Sequence, residues 1–145
     1  MAYPDTQLDV TPILGAAGAV PVSALTTAAG VVARQIIGYK NLRVKALWAT
    51  VIVSPTVTNA IATFKYRPTP GSASGEVVIG TLTLPVAAVI GKQYYKRLFD
   101  FIALSGGEVV VDITTTSTAG SAAFGFFGEP QWSNPLDNAN MIASA

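Results

Sequence analysis

The sequence predicts an all-β fold: a two-sheet antiparallel β-sandwich with an extended N-terminal arm and a C-terminal tail. Three observations carry this. Polar and apolar residues alternate along 42–53, 60–67 and 108–116, and a period of two puts successive side chains on opposite faces of a strand. Clusters of Gly, Pro, Ser, Thr and Asn interrupt the chain at roughly strand-length intervals, as in sandwiches built from many short strands. The 145 residues, half of them hydrophobic, are enough for one domain with a sizeable core.

The elements follow in order. Residues 1–30 read as an arm, because Pro4, Pro12 and Pro21 each lack a backbone donor and Gly15, Gly18 and Gly30 loosen the chain. A helix over Ser23–Ile37 is the rival, since Leu25, Ala28, Val32 and Ile36 have helical spacing; Gly30 and the β-branched residues after it favour coil passing into strand. Residues 31–38 form the first strand. In 42–53, Leu42, Val44, Ala46 and Trp48 face one way and Arg43 and Lys45 the other, while Leu47 onward is apolar on both faces and needs cover. Ser54 to Asn59 turns the chain into 60–67, with Ala62, Phe64 and Tyr66 inward and Thr63, Lys65 and Arg67 outward. Strands at 76–84 and 93–102 follow, separated by Pro85 and an apolar connection. Ser105-Gly106-Gly107 turns into 108–116, where Val109, Val111 and Ile113 face in and Glu108, Asp112 and Thr114 face out. A strand at 121–128 closes the sandwich, of jelly-roll type. The organisation is therefore arm 1–30, sandwich 31–128 and tail 129–145.

Only 12% of residues are charged, about half the usual share of roughly 25%. Such a surface suits a chain whose outside is largely covered by other protein. There is no cysteine and no histidine. This removes disulfides, thiolate chemistry, the commonest general base and the commonest transition-metal ligand. Gly71-Ser72-Ala73-Ser74-Gly75 lacks the lysine and following helix of a phosphate loop. The chain is therefore read as no enzyme, with no catalytic, cofactor-binding or metal-binding residue assigned. Residues 12–33 carry no charge, yet their Ala, Gly, Thr and Pro content is too weakly apolar for a membrane span. Asp5 and Asp9 stand where a secretory signal would be basic, so synthesis in the cytoplasm without export is expected.

Charge is unevenly placed. All nine Lys and Arg lie between Arg34 and Arg97, and within that span Glu76 is the only acid. A hairpin of 42–53 with 60–67 would put Arg43, Lys45, Lys65 and Arg67 on one outer face, where like charges repel. Acids must then lie over them: Glu108 and Asp112 of the same fold, an acidic partner protein, or nucleic acid. A net charge of +1 weighs against nucleic acid, even with Tyr39, Tyr66, Tyr94 and Tyr95 near basic residues. Trp132, beyond the last strand, is a candidate anchor for the tail, and Tyr3 of the arm joins it as a partner-contact candidate. Without a helix or hairpin of their own, the arm and the tail need contacts to hold them, and at least one of the two is expected to lie across another subunit, as strand addition or groove filling.

The run Gly80-Thr81-Leu82-Thr83-Leu84-Pro85, then Gly91-Lys92-Gln93-Tyr94-Tyr95, then Leu104-Ser105-Gly106-Gly107-Glu108-Val109-Val110-Val111 resembles small jelly-roll cement or decoration proteins of tailed-bacteriophage capsids, over roughly 31–128. The resemblance implies a homotrimer on the outer capsid surface that binds the major capsid protein and stabilises the shell. The alternative is a carbohydrate- or receptor-binding sandwich of a phage or surface fibre. It would use an exposed concave group such as Tyr94, Tyr95, Trp132 and Asn134.

Overall fold

The computed structural model describes residues 9–15, 22–26, 31–38 and 40–131, with Asp9–Gly15 and Asp100 described by their backbone alone. The described residues form nine strands and no helix: β1 Asp9–Gly15, β2 Val22–Ala24, β3 Val31–Ile36, β4 Asn41–Val53, β5 Ala60–Arg67, β6 Val77–Leu84, β7 Gln93–Ala103, β8 Glu108–Thr115 and β9 Ser121–Gln131. All pairings are antiparallel. Two sheets pack as a sandwich, as the alternation predicts. One sheet runs β7-β4-β9, with β1 and β2 end to end along the far edge of β9; the other runs β6-β5-β8-β3. β1 belongs to both. Asp9–Ile13 pair with β9, and Leu14–Gly15 pair with β3. Pro12 is tolerated because β1 is an edge strand along β9, where no further ladder needs its missing N–H.

Part of the stretch read as an arm is thus woven into the chain's own sheets. Residues 1–8, 16–21 and 27–30, with Tyr3 among them, lie outside the described residues, as does the tail 132–145 with Trp132 and Asn134. Leu25 is fully buried. Its N–H donates to the Gly120 carbonyl at 2.9 Å and its own carbonyl accepts the Ser117 N–H at 3.0 Å. These bonds fix the end of β2 against the β8–β9 connection.

Of the consecutive described strands, β5 and β6 form a hairpin, while β3–β4, β4–β5, β6–β7, β7–β8 and β8–β9 cross between sheets. The core lies between the sheets, where Phe64 of β5 meets Phe124 of β9 edge to face at 6.0 Å and 77°. Inward alternation on β5 and β8 is as the sequence predicts, with Ala62, Phe64, Val109, Val111 and Ile113 all in the core.

β4 departs from a single alternation. A bulge between Val44 and Ala46 reverses its parity, because one extra residue flips every later side chain. Val44 faces the core before the bulge, and Leu47, Ala49 and Val51 face it after. Ala46 and Trp48 therefore point outward, against the expectation that they share the face of Val44. Trp48 is nonetheless buried, beside its cross-strand neighbours Tyr95 and Gly125.

The Ser105–Gly107 turn is set by close approach. A side chain at Gly107 would collide with the Tyr66 ring and the Arg67 carbonyl. Tyr66 is buried there and donates its hydroxyl to the Leu104 carbonyl at 3.0 Å.

Candidate functional site

The four basic candidates do not share a face. β4 and β5 lie in different sheets, so the expected hairpin does not form, and Arg43 and Lys45 are separated from Lys65 and Arg67. The physical reason is the 54–59 connection. It crosses from one sheet to the other instead of folding β5 back beside β4.

Lys65 and Arg67 sit on the outer face of the second sheet, in a chain of alternating charges. Arg34 of β3 donates to Glu108 Oε1 through Nε at 3.0 Å and Nη2 at 2.7 Å. Glu108 Oε2 accepts the Gly71 N–H at 2.8 Å and lies 3.8 Å from Arg67 Nη1. Arg67 Nε donates to Glu76 Oε2 at 2.7 Å; Glu76 Oε1 is 3.4 Å from Lys65 Nζ; Lys65 Nζ reaches Asp112 Oδ2 at 2.7 Å. Three cations alternate with three carboxylates, so the mutual repulsion of the bases is cancelled within the fold. The acids over this half of the basic set are Glu108 and Asp112, joined by Glu76. Val110, cross-strand from both Arg34 and Lys65, is fully buried on this face, consistent with long basic stems covering apolar surface.

The network shifts two titrations. The hydrogen bond from Arg67 holds the Glu76 carboxyl below its ordinary range, aided by nearby Lys65 and opposed by burial. The hydrogen bond to Asp112 raises the Lys65 ammonium above its ordinary value, burial opposing and Glu76 assisting. A depressed carboxyl contributes stability above its unfolded value of about 4.3 and loses it as pH falls through the folded value. A raised lysine contributes fully below about 10.4 and loses its share as pH rises through the folded value. Stability against urea is therefore expected to be flat with respect to these groups between those limits and to fall outside them. Glu76→Gln should flatten the acid limb, measured as the urea midpoint from pH 3 to pH 6.

The other pair of bases faces elsewhere. Arg43 lies 4.0 Å from Glu129 and its Nη2 donates to Gln131 at 3.4 Å. Lys45, at the bulge, lines an outward cavity of about 330 Å³ with Ala46, Tyr95, Arg97, Leu98 and Phe127. Opposite this bulge β7 also bulges. Val44 pairs with Phe101 and Ala46 with Arg97, so Lys45 alone stands across from Leu98, Phe99 and Asp100. The excess chain pushes Phe99 wholly into solvent, 99% exposed. On the far side of β7 a second cavity of about 410 Å³ is lined by Ile79, Lys96, Arg97, Leu98, Phe99 and Phe101.

A third apolar feature caps one end of the sandwich. The 54–59 and 85–92 connections are tied together: the Ala87 N–H donates to the Pro55 carbonyl at 3.1 Å, Ser54 Oγ to the Ala88 carbonyl at 2.5 Å, and the Val86 N–H to Asn59 Oδ1 at 2.9 Å. From this braced end project Val57, Val89 and Ile90, 79%, 68% and 66% exposed, with Val53 and Val86 beside them. Val57 and Ala87 both have left-handed backbone, at φ 71° and 62°. For a β-branched residue that is a strained state.

Phe99, Lys96, Val57, Val89 and Ile90 were not singled out from sequence. The available signals were Leu98-Phe99, adjacent apolar residues that one strand cannot both bury on one face, and Val86-Ala87-Ala88-Val89-Ile90, a connection without turn formers. Among the described residues no helix is long and apolar enough to cross a membrane, and no three His, Cys, Asp or Glu side chains cluster to hold a metal. A scan of protein-family models and a search of the curated proteins both find no match to this chain.

Proposed function

We propose that the protein is a virion structural protein, a capsid cement or decoration protein that oligomerises on the outer shell and stabilises it by bridging neighbouring capsid subunits. The observation that carries this reading is the braced apolar end formed by Val53, Val57, Val86, Val89 and Ile90. Apolar side chains held out on rigid, hydrogen-bonded loops, in a chain with 12% charged residues, suit a surface covered by another protein. Val57 sharpens the argument. Asn tolerates left-handed backbone and valine does not, so an exposed valine there costs folding free energy that a partner contact would offset.

The test follows from that conflict. Val57→Asn is expected to stabilise the isolated protein by about 1 kcal/mol by relieving the backbone, read as the denaturation midpoint. The same change should weaken attachment to capsid shells, read by co-sedimentation with shells stripped of the protein. Val57→Asn protein that binds shells as tightly as the parent, or a parent that binds none, would overturn the cement reading. The second reading, a glycan- or receptor-binding sandwich, is favoured by one feature: the cavity where Tyr95 and Phe127 adjoin Lys45 and Arg97. Saturable glycan binding that is lost in Tyr95→Ala would select it.

A further inference from the structure

β6 and β7 are the two outermost strands of their sheets and lie on the same side of the sandwich. Among the described strands each has an edge without a partner, and unpaired edges are templates for another strand. Between them runs the cavity lined by Ile79, Leu98, Phe99, Phe101, Lys96 and Arg97, and Val77 and Val78 are also exposed on β6.

Its charge is as informative as its shape. Arg34, Arg43, Lys65 and Arg67 are matched with carboxylates, and Lys92 lies over the Tyr94 ring at 5.0 Å. Lys96 and Arg97, both exposed, make no ion pair with a described residue. The groove therefore asks for an extended, largely apolar segment that carries negative charge.

The chain holds such a segment. Residues 132–145, Trp-Ser-Asn-Pro-Leu-Asp-Asn-Ala-Asn-Met-Ile-Ala-Ser-Ala, contain Trp132, Leu136, Met141 and Ile142, one carboxylate at Asp137, and no lysine or arginine. Extended, they reach about 46 Å at roughly 3.3 Å per residue, enough to span the groove. The direction of exit selects the donor. β9 and β7 are both antiparallel to β4 and hence parallel to each other, and Leu42 pairs with Pro130 on one side and Ala103 on the other. The chain thus leaves β9 at the same end as β7, heading away from the groove. Entering its own groove would need a reversal around the Asn41–Ser105 contact, where Asn41 Oδ1 accepts the Ser105 N–H at 2.8 Å. A neighbouring copy's segment enters without reversing.

We infer that the β6–β7 groove receives residues 132–145 of a second copy of this chain, by strand addition along a sheet edge with Asp137 against Lys96 and Arg97. This names the self-contact and rests on the proposed assembly role, but its test is separate. The chain has no native cysteine, so single engineered cysteines report contacts cleanly. A Phe99→Cys chain and a differently tagged Asp137→Cys chain, co-expressed and oxidised, should yield a disulfide-linked pair of unlike tags on a non-reducing gel. Val57→Cys with Asp137→Cys, at the opposite end of the sandwich, should not. Lys96→Glu with Arg97→Glu should weaken self-association at least tenfold by mass photometry, and deletion of 132–145 should abolish it with the β-sheet CD spectrum retained. Absence of the unlike-tag product, or a disulfide formed within one doubly substituted chain of monomer mass, would overturn the inference. Cross-linked oligomers that bind no capsid would leave this contact standing and sink the cement role. Capsid binding without the cross-link would do the reverse.

Discussion

Glu108→Gln is expected to lower folding stability by about 3 kcal/mol. The Glu108 side chain is fully buried, yet it is the shared partner of Arg34, Arg67 and the Gly71 N–H. Glutamine keeps the shape and removes the charge, so the cost is that of leaving two guanidinium groups without their common counter-ion. The figure sits at the low end for breaking a buried pair because Arg34 keeps 43% of its side chain in solvent and Arg67 retains Glu76. Two measurements check it. The denaturant midpoint should fall, and hydrogen exchange at Gly71 should accelerate because the 68–75 loop loses its tether. An unchanged midpoint would mean that desolvation of Glu108 cancels everything its partners return.

Phe124→Ala is expected to cost about 3–5 kcal/mol. Phe124 is fully buried and meets Phe64 across the two sheets. Its removal leaves a cavity in the core between the two sheets. Domains of this size are commonly stable by about 5–15 kcal/mol, so the loss is a large fraction of the whole. A double-mutant cycle with Phe64→Ala should show coupling of about 0.5–1.5 kcal/mol from the edge-to-face pair. Additive losses would mean that each ring contributes through burial alone.

The strands of the sandwich were legible because alternation is a local property. β5 and β8 show it unbroken, and their inward residues match the core one for one. Three things were not legible. The bulge at Lys45 adds a single residue and leaves no compositional mark, so Ala46 and Trp48 read as inward while the fold turns them out. The strand order is set by which connections cross between the sheets, and nothing in Ser54–Asn59 distinguishes a crossing from a hairpin. This is why Lys65 and Arg67 were grouped with Arg43 and Lys45. β1 and β2 were hidden because Pro12 and the flanking glycines mimic an arm, when an edge position forgives both. The ionic network was legible in half. Glu108 and Asp112 lie on the outward parity of β8, whereas Glu76 precedes β6 and Arg34 lies far away in sequence.

The double membership of β1 governs the order in which this molecule can be finished. Its end at Leu14–Gly15 can pair with β3 early, but its longer part, Asp9–Ile13, is partnered by β9, with Asp9 opposite Gly128, and waits for the last described strand. β9 is also the strand that β4 and β2 require. A chain lacking β9 can pair β3, β8, β5 and β6 and can pair β4 with β7, but its covering sheet lacks the strand that joins β4 to β1 and β2. Completion of the sandwich therefore waits for β9, the last of the described strands. Loop closure over such separations is slow, in the millisecond-to-second range typical of non-local β topologies.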